Sequence, residues 1–437
     1  MGVKISGLTA KGATIADTDL VEVSQSAGGG LYTSRSVTGA NIKALVTDAN
    51  MTTSDITTND VSTAKHGFAP KAPNDTAKFL RGDGTWAVPS AGGLTEFTEL
   101  ETTAAPNATV PVNSLTPVTA TTNADFAIKP KGTGAILANI PDNTATGGNK
   151  RGANAIDLST YRTGATNVAS GQYSVVIGQD SRGSNSNAVA IGSSAISTSD
   201  GSVAISNATA SGVRSFAHGT RCTSSGYGSV AFGSYPYGDT VASGDNSFAA
   251  GQGGTASGTG SVILGGYASV ASGTYSYAFG KNADTFGIAG RMAKGYSLDG
   301  INISGQTQAS TFFLSVRTTG NTATTVTVGG GAAAATNQVI LSNQSAYRFK
   351  GTIIGKQSGS VNAAVWDIDG FIVRGANAAA TTLNVSNVTL VQNTPAWGTP
   401  TLAADTTNGG LRVQVTGATT TNIQWTAVID TTEVIYA

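Results

Sequence analysis

Asp367 and Asp369 stand two residues apart in the run VWDIDGF. On a strand that spacing puts both carboxylates on one face, about 6.6 Å apart by strand rise, a separation that suits the acid and base of a glycosidase. A turn that ends the strand at Gly370 is the plainer expectation for the pair. The run DIDG is also too short to supply the remaining ligands of a calcium loop.

Other reactive residues are sparse. Arg81-Gly82-Asp83 has the letters of an integrin motif, but its place just before Trp86 reads as a tight turn. The sequence has two histidines, His66 and His218, fewer than the three or four ligands of a usual histidine metal site. Three copies of His218 meeting on an axis would be the exception, and a surface or hydrogen-bonded His218 is the expectation. Cys222 is the single cysteine, which excludes an internal disulfide, and its place beside a small-residue turn reads as inert. No nucleophile motif, phosphate loop or dinucleotide fingerprint occurs in its required setting. No catalytic, cofactor-binding or metal residue is therefore assigned, no cofactor is expected, and the chain is expected not to be an enzyme.

The elements that would position these residues are β-strands. Gly supplies 57 of 437 residues and charged residues only 11%. Strong helix formers are thus scarce, and an almost entirely β protein follows. Twenty-five basic residues balance twenty-five acidic ones, with no basic cluster to mark a nucleic-acid footprint, so nucleic acid is not an expected partner. No run reaches the ~18 apolar residues of a membrane span, and the first residues lack the pattern of a signal peptide. Gly2 after Met1 is too little to indicate a lipid anchor.

A repeat fixes the architecture. The signature apolar-x-apolar-Gly begins at Val175, Val189, Val203, Phe216, Val230, Phe248, Val262 and Tyr277, in steps of 14, 14, 13, 14, 18, 14 and 15. The long step carries an insertion, 235–240 (YPYGDT), that reads as a surface turn. Turns such as Ala169-Ser170-Gly171 and Ala210-Ser211-Gly212 separate the copies. A 14-residue unit suits two short strands and two tight turns, one coil of a parallel β-solenoid. The first and third side chains of VAIG are expected to stack inward, and its Gly to take the positive φ of a sharp turn. Eight coils at about 4.8 Å each would make roughly 38 Å of rod.

The stretch from about 169 to 283 resembles the head repeat of trimeric autotransporter adhesins, with Ser206 in place of Gly and His218 in place of the second apolar residue. The resemblance implies a left-handed β-roll that trimerises. Lys65 to Ala87 (KHGFAPKAPNDTAKFLRGDGTWA) resembles a module of phage tail fibres. Asn123 to Asp157, ADTDLVEVSQ and SRSVTGANIKALV are similar to tail-fibre segments as well. The resemblance implies a bacteriophage virion component, made in the host cytoplasm. The autotransporter alternative would need a signal peptide, a coiled-coil stalk and a membrane β-anchor, and no heptad stalk is seen.

The chain end leaves the 14-residue period. Leu411-Val413-Val415 and Ile423-Trp425-Ala427-Ile429 each line one face of a strand, and Leu383-Val385 then Val388-Leu390 predict a hairpin around Ser386-Asn387. A C-terminal β-sandwich, jelly-roll-like, is expected. The aromatics Trp366, Phe371, Trp425, Tyr347 and Phe349 are expected mostly in its core. Trp397, in the Pro- and Gly-bounded run NTPAWGTP, is the candidate receptor-binding residue, because an exposed loop aromatic is a favoured stacking surface and anchor.

The predicted organisation is an all-β, elongated homotrimeric fibre: 1–50 virion attachment, 51–93 fibre connector, 94–168 β-rich transition, 169–283 β-roll, 284–310 connector and 311–437 receptor-binding head. Its expected partners are its own copies, phage tail or baseplate proteins, and a bacterial surface glycan or outer-membrane protein. A purely structural role in capsid decoration or as a baseplate brace is the first alternative. The second is a glycan depolymerase tailspike, which the low acidic content disfavours.

Overall fold

The computed structural model describes residues 20–26, 32–45, 74–88, 97–102, 112–118, 125–233, 238–296 and 304–436, with 16, 18 and 123. His66, Gly2, 65–73 and the start of the 235–240 insertion lie outside them. The chain divides into two compact units, Met1–Ala127 and Ile128–Ala437.

The described residues of the first unit form hairpins and a short helix. Leu20–Ser26 pairs with Tyr32–Thr38, which leads into a short helix, Gly39–Leu45. Phe79–Leu80 pairs with Trp86–Ala87 around a turn in which the Asp83 carboxylate accepts from the Thr85 amide at 3.0 Å and its hydroxyl at 2.7 Å. Arg81-Gly82-Asp83 is therefore a hairpin turn. Phe97–Thr102 pairs with Val112–Pro117.

The second unit is a β-solenoid running into an antiparallel sheet. Parallel pairing joins Val175, Val189, Val203, Phe216, Val230, Phe248, Val262 and Tyr277 in one ladder, the eight signature positions in their predicted register. The ladder also extends beyond the signatures, from Ile136–Leu137 at one end to Met292–Tyr296 at the other. A second parallel ladder, from Arg182–Gly183 to Val270–Ala271, closes the opposite side of each coil.

The inward assignment of the signature is corrected. It is the middle residue that points in: Ala190, Ala204, Ala217, Ala231 and Ala249 are fully buried. They face small residues of the second ladder such as Ser197, Ala210 and Ser224. A 14-residue coil encloses a narrow lumen that takes one middle side chain per coil, mostly a methyl, with Val176 and Ile263 admitted where Gly183 and Gly254 lie against them, so the side chains at the flanking positions must point out. Ile177, Phe232 and Leu264 are accordingly exposed by 38, 37 and 50%.

Glycine is needed for two separate reasons. Gly178 takes φ 115°, as predicted for the sharp turn, and Ser206 holds the same left-handed region at φ 65°. At Gly212 the reason is space: a Cβ there would sit 2.1 Å from the Gly226 carbonyl of the next coil.

Buried charges sit near both ends of the stack. Asp157 occupies an inward position, in register with Val176. It receives Arg151 Nε at 2.7 Å and Arg162 Nη2 at 2.9 Å, all three side chains being essentially inaccessible. At the other end Arg291 lies between the rings of Phe286 and Phe312, 5.1 Å from each centroid, and pairs with Glu433.

The C-terminal strands are β1 (Thr307–Thr318), β2 (Ala323–Thr325), β3 (Val339–Ile340), β4 (Ser345–Gln357), β5 (Ala363–Arg374), β6 (Thr381–Asn393), β7 (Gly398–Asp405), β8 (Gly410–Thr416) and β9 (Ile423–Ile435). Strand β1 pairs antiparallel with Met292–Tyr296, so the order β6-β5-β4-β9-β1 continues the solenoid's own sheet. Strands β2, β3 and β7 pair with β8 in a small second sheet. The two share one apolar core of Phe312, Tyr347, Phe349, Trp366 and Trp425 with Leu411, Val413 and Val415.

Two local expectations are corrected. The hairpin at Ser386-Asn387 is absent: β6 runs straight through, and a bulge opposite Phe371 and Ile372 changes the phase of its alternation. Nor does a turn end the strand at Gly370. This residue is mid-strand in β5, and a side chain there would meet the Phe349 ring at 2.4 Å.

Candidate functional site

Strand alternation gives the long sheet one face in the core and one outward. On the outward face Asn387, Asp369, Lys350, Asp430 and Thr311 form a row across β6, β5, β4, β9 and β1. Asp367 lies one row away, opposite Thr352. The structure thus keeps Asp367 and Asp369 on one face and adds Asp430, two strands from Asp369 and about 10 Å away by strand spacing. The missed carboxylate had a signal in its strand: Ile429 is inward, so Asp430 next to it must be outward.

Each acid is engaged. Asp367 accepts from the Thr352 hydroxyl at 2.9 Å, and Asp430 from that of Thr311 at 2.7 Å. Asp369 takes Arg348 Nη2 at 2.6 Å and Asn387 Nδ2 at 3.1 Å. Two shallow grooves of about 570 and 510 Å³ meet at Arg348, Lys350 and Asp430. Such a surface offers acceptors and two cations to hydroxylated ligands, and by strand rise Asp367 and Asp369 lie about 6.6 Å apart, a separation that can place a water between an acid and a base.

Trp397 is not part of this face. It is only 7% exposed, its ring meets Trp425 edge-on at 5.5 Å, and Asn393 brackets its backbone at 2.7 and 2.9 Å. The Pro- and Gly-bounded segment folds the indole back under Gly355, which has no side chain to block it. The exposure expected of Trp397 is therefore corrected: it is a core residue of this chain. Trp366, Trp425, Tyr347 and Phe349 are core as expected, while Phe371 is outward and 37% exposed.

The remaining candidates separate. His218 stands in the outward row of the solenoid, edge-on to Phe232 at 6.1 Å. Cys222 points inward and is buried, which pushes its thiol up to about 11. Arg81-Gly82-Asp83 belongs to the first unit. Among the described residues no group of three or more His, Cys, Asp and Glu could hold a metal ion, and no helix is long and apolar enough to cross a membrane.

No family model matches the chain, and no curated protein does. Among solved structures it is similar to the tailspike protein gp49 of Acinetobacter baumannii bacteriophage Fri1, described as a capsular polysaccharide depolymerase, at 9% identity and a TM-score of 0.20 over 72% of this chain and 49% of that one. It is also similar to the tailspike protein of Acinetobacter baumannii phage AM24, at 11% identity and a TM-score of 0.16 over 64% of this chain and 53% of that one. The chain spans about half the length of the tailspikes it matches. The expectation that it is not an enzyme is withdrawn on this finding, since the first of the two is described as one. Scores of this size lie below a shared fold, and no residue is carried over from either protein.

Proposed function

We propose that the chain is a bacteriophage tail fibre or spike that engages a bacterial surface polysaccharide through residues 304–436 and assembles as a homotrimer. One observation carries this reading: a single sheet passes without a break from repeating coils into an aperiodic region. Coils give reach and similar surfaces, whereas individual side chains on β1, β4, β5 and β9 can be shaped for a ligand. The outward ladder of Val, Ile and Phe supports assembly, because a lone rod would leave it in water and three copies can cover it.

Cleavage of the same polysaccharide is a second reading. The carboxylates Asp367, Asp369 and Asp430 around Lys350 favour it. Purified chain incubated with encapsulated bacteria should bind the capsule and block phage adsorption. Release of new reducing ends from isolated polysaccharide assigns cleavage, and binding that survives removal of the capsule overturns the glycan reading.

A further inference from the structure

At the far ends of β1, β4 and β9 the sheet carries a third groove, of about 550 Å³, lined by Arg317, Thr318, Lys356, Gln357, Asn422 and Gln424 among others. No Asp or Glu is among its lining residues. In a chain whose charges balance, two cations on one row without an acid between them are a local exception.

Their donors are partly spent and partly free. Arg317 Nε donates to Gln424 Oε1 at 2.7 Å, which aims the guanidinium and leaves both terminal nitrogens without a partner among the described residues. Lys356 Nζ donates to the carbonyls of Gln357, at 3.2 Å, and Ser360, and keeps a third proton. The floor is fixed, because the Trp425 indole donates to the buried Thr318 hydroxyl at 2.9 Å. A guanidinium fork with a neighbouring ammonium suits a carboxylate, and the surrounding amides suit hydroxyls.

We infer that this groove binds a carboxylate-bearing sugar of an acidic polysaccharide, an inference that rests on the glycan reading above. Position supports access. The last solenoid strand pairs with β1 near Thr311, and Thr318 lies seven residues further on, about 24 Å away. A neighbouring copy can therefore cover the apolar ladder without covering the groove.

The test uses the full chain with oligogalacturonate and with the same oligomer after reduction of its carboxylates to alcohols. The intact oligomer should bind about tenfold more tightly than the reduced one. Arg317→Gln with Lys356→Gln should abolish that preference, Arg317→Lys should keep part of it, and Arg221→Gln in the solenoid should keep all of it. Unchanged melting would show that the variants fold. Equal binding of the two oligomers, or a preference that survives the double substitution, overturns the acidic site while the glycan reading stands. If the chain binds neither oligomer the inference falls, and failure to bind any capsule overturns the glycan reading as well.

Discussion

Arg291 and Glu433, 142 residues apart in the chain, form an ion pair with both side chains wholly buried where the last coil meets β9. Gln308 Nε2 and the Thr431 hydroxyl complete the carboxylate at 2.8 and 2.5 Å, and the Ser310 hydroxyl takes Arg291 Nε at 3.0 Å. Burial acts against the guanidinium, but Glu433 outweighs it and holds Arg291 charged; burial also pushes Tyr347 beside them up to about 12. Replacing Glu433 by Gln should leave a buried cation without its counter-charge and cost about 3–5 kcal/mol. Calorimetry should show residues 304–436 melting earlier than in the parent chain.

The corrected orientation of the signature separates two substitutions. Ala204→Leu forces a large side chain into a stretch of lumen lined by Ala190, Ala208, Ala210 and Ala217, and should cost about 1–3 kcal/mol or prevent folding. Ile191→Asp leaves the coil intact and charges the outward ladder. It should yield a folded chain by circular dichroism with a weakened trimer by light scattering.

Trp397→Ala removes a core indole packed on Trp425. A loss of about 3–5 kcal/mol in urea unfolding is expected. Glycan affinity, measured where the variant remains folded, should change little.

Asp405 titrates far below its ordinary value. Burial raises it, but donors from Asn408, Gln338 and Thr407 prevail and bring it from 3.8 to about 2. The carboxylate therefore contributes stability above about pH 4, which is lost as the pH falls toward 2. Urea midpoints should drop over that interval in the parent chain and much less in Asp405→Asn.

Under the cleavage reading, Asp369→Asn should reduce reducing-end release by about 10²–10⁴ while polysaccharide binding persists. Asp430→Asn should do the same if the two acids work as a pair. Unaltered release in both variants would assign cleavage elsewhere.

Much of the rod could be read in the sequence, because periodicity reports pairing directly: Val175, Val189 and Val203 recur by coil and pair by coil. Inside and outside could not be read the same way. Hydrophobicity favours burying Val189 and Ile191, and the narrow lumen, which takes one middle side chain per coil, selects Ala190 instead. The break in alternation at Ser386-Asn387 fits a turn or a bulge equally, and the long partner strand β5 decides for the bulge. Two of the three carboxylates of the candidate face, Asp367 and Asp369, were visible. Asp430 joins them only through strand order, which no local pattern encodes.

Ala190, Ala204, Ala217 and Ala231 put the same methyl in the same place, so each of these coils presents its successor with the same template. Coils are therefore interchangeable tiles: whole units can be duplicated or lost by recombination, changing reach in increments of about 4.8 Å. Among the described residues the Asp157 and Arg291 clusters occur once each, near the two ends of the stack. Lineages of this protein should vary in tile number while both terminal ion clusters stay unique.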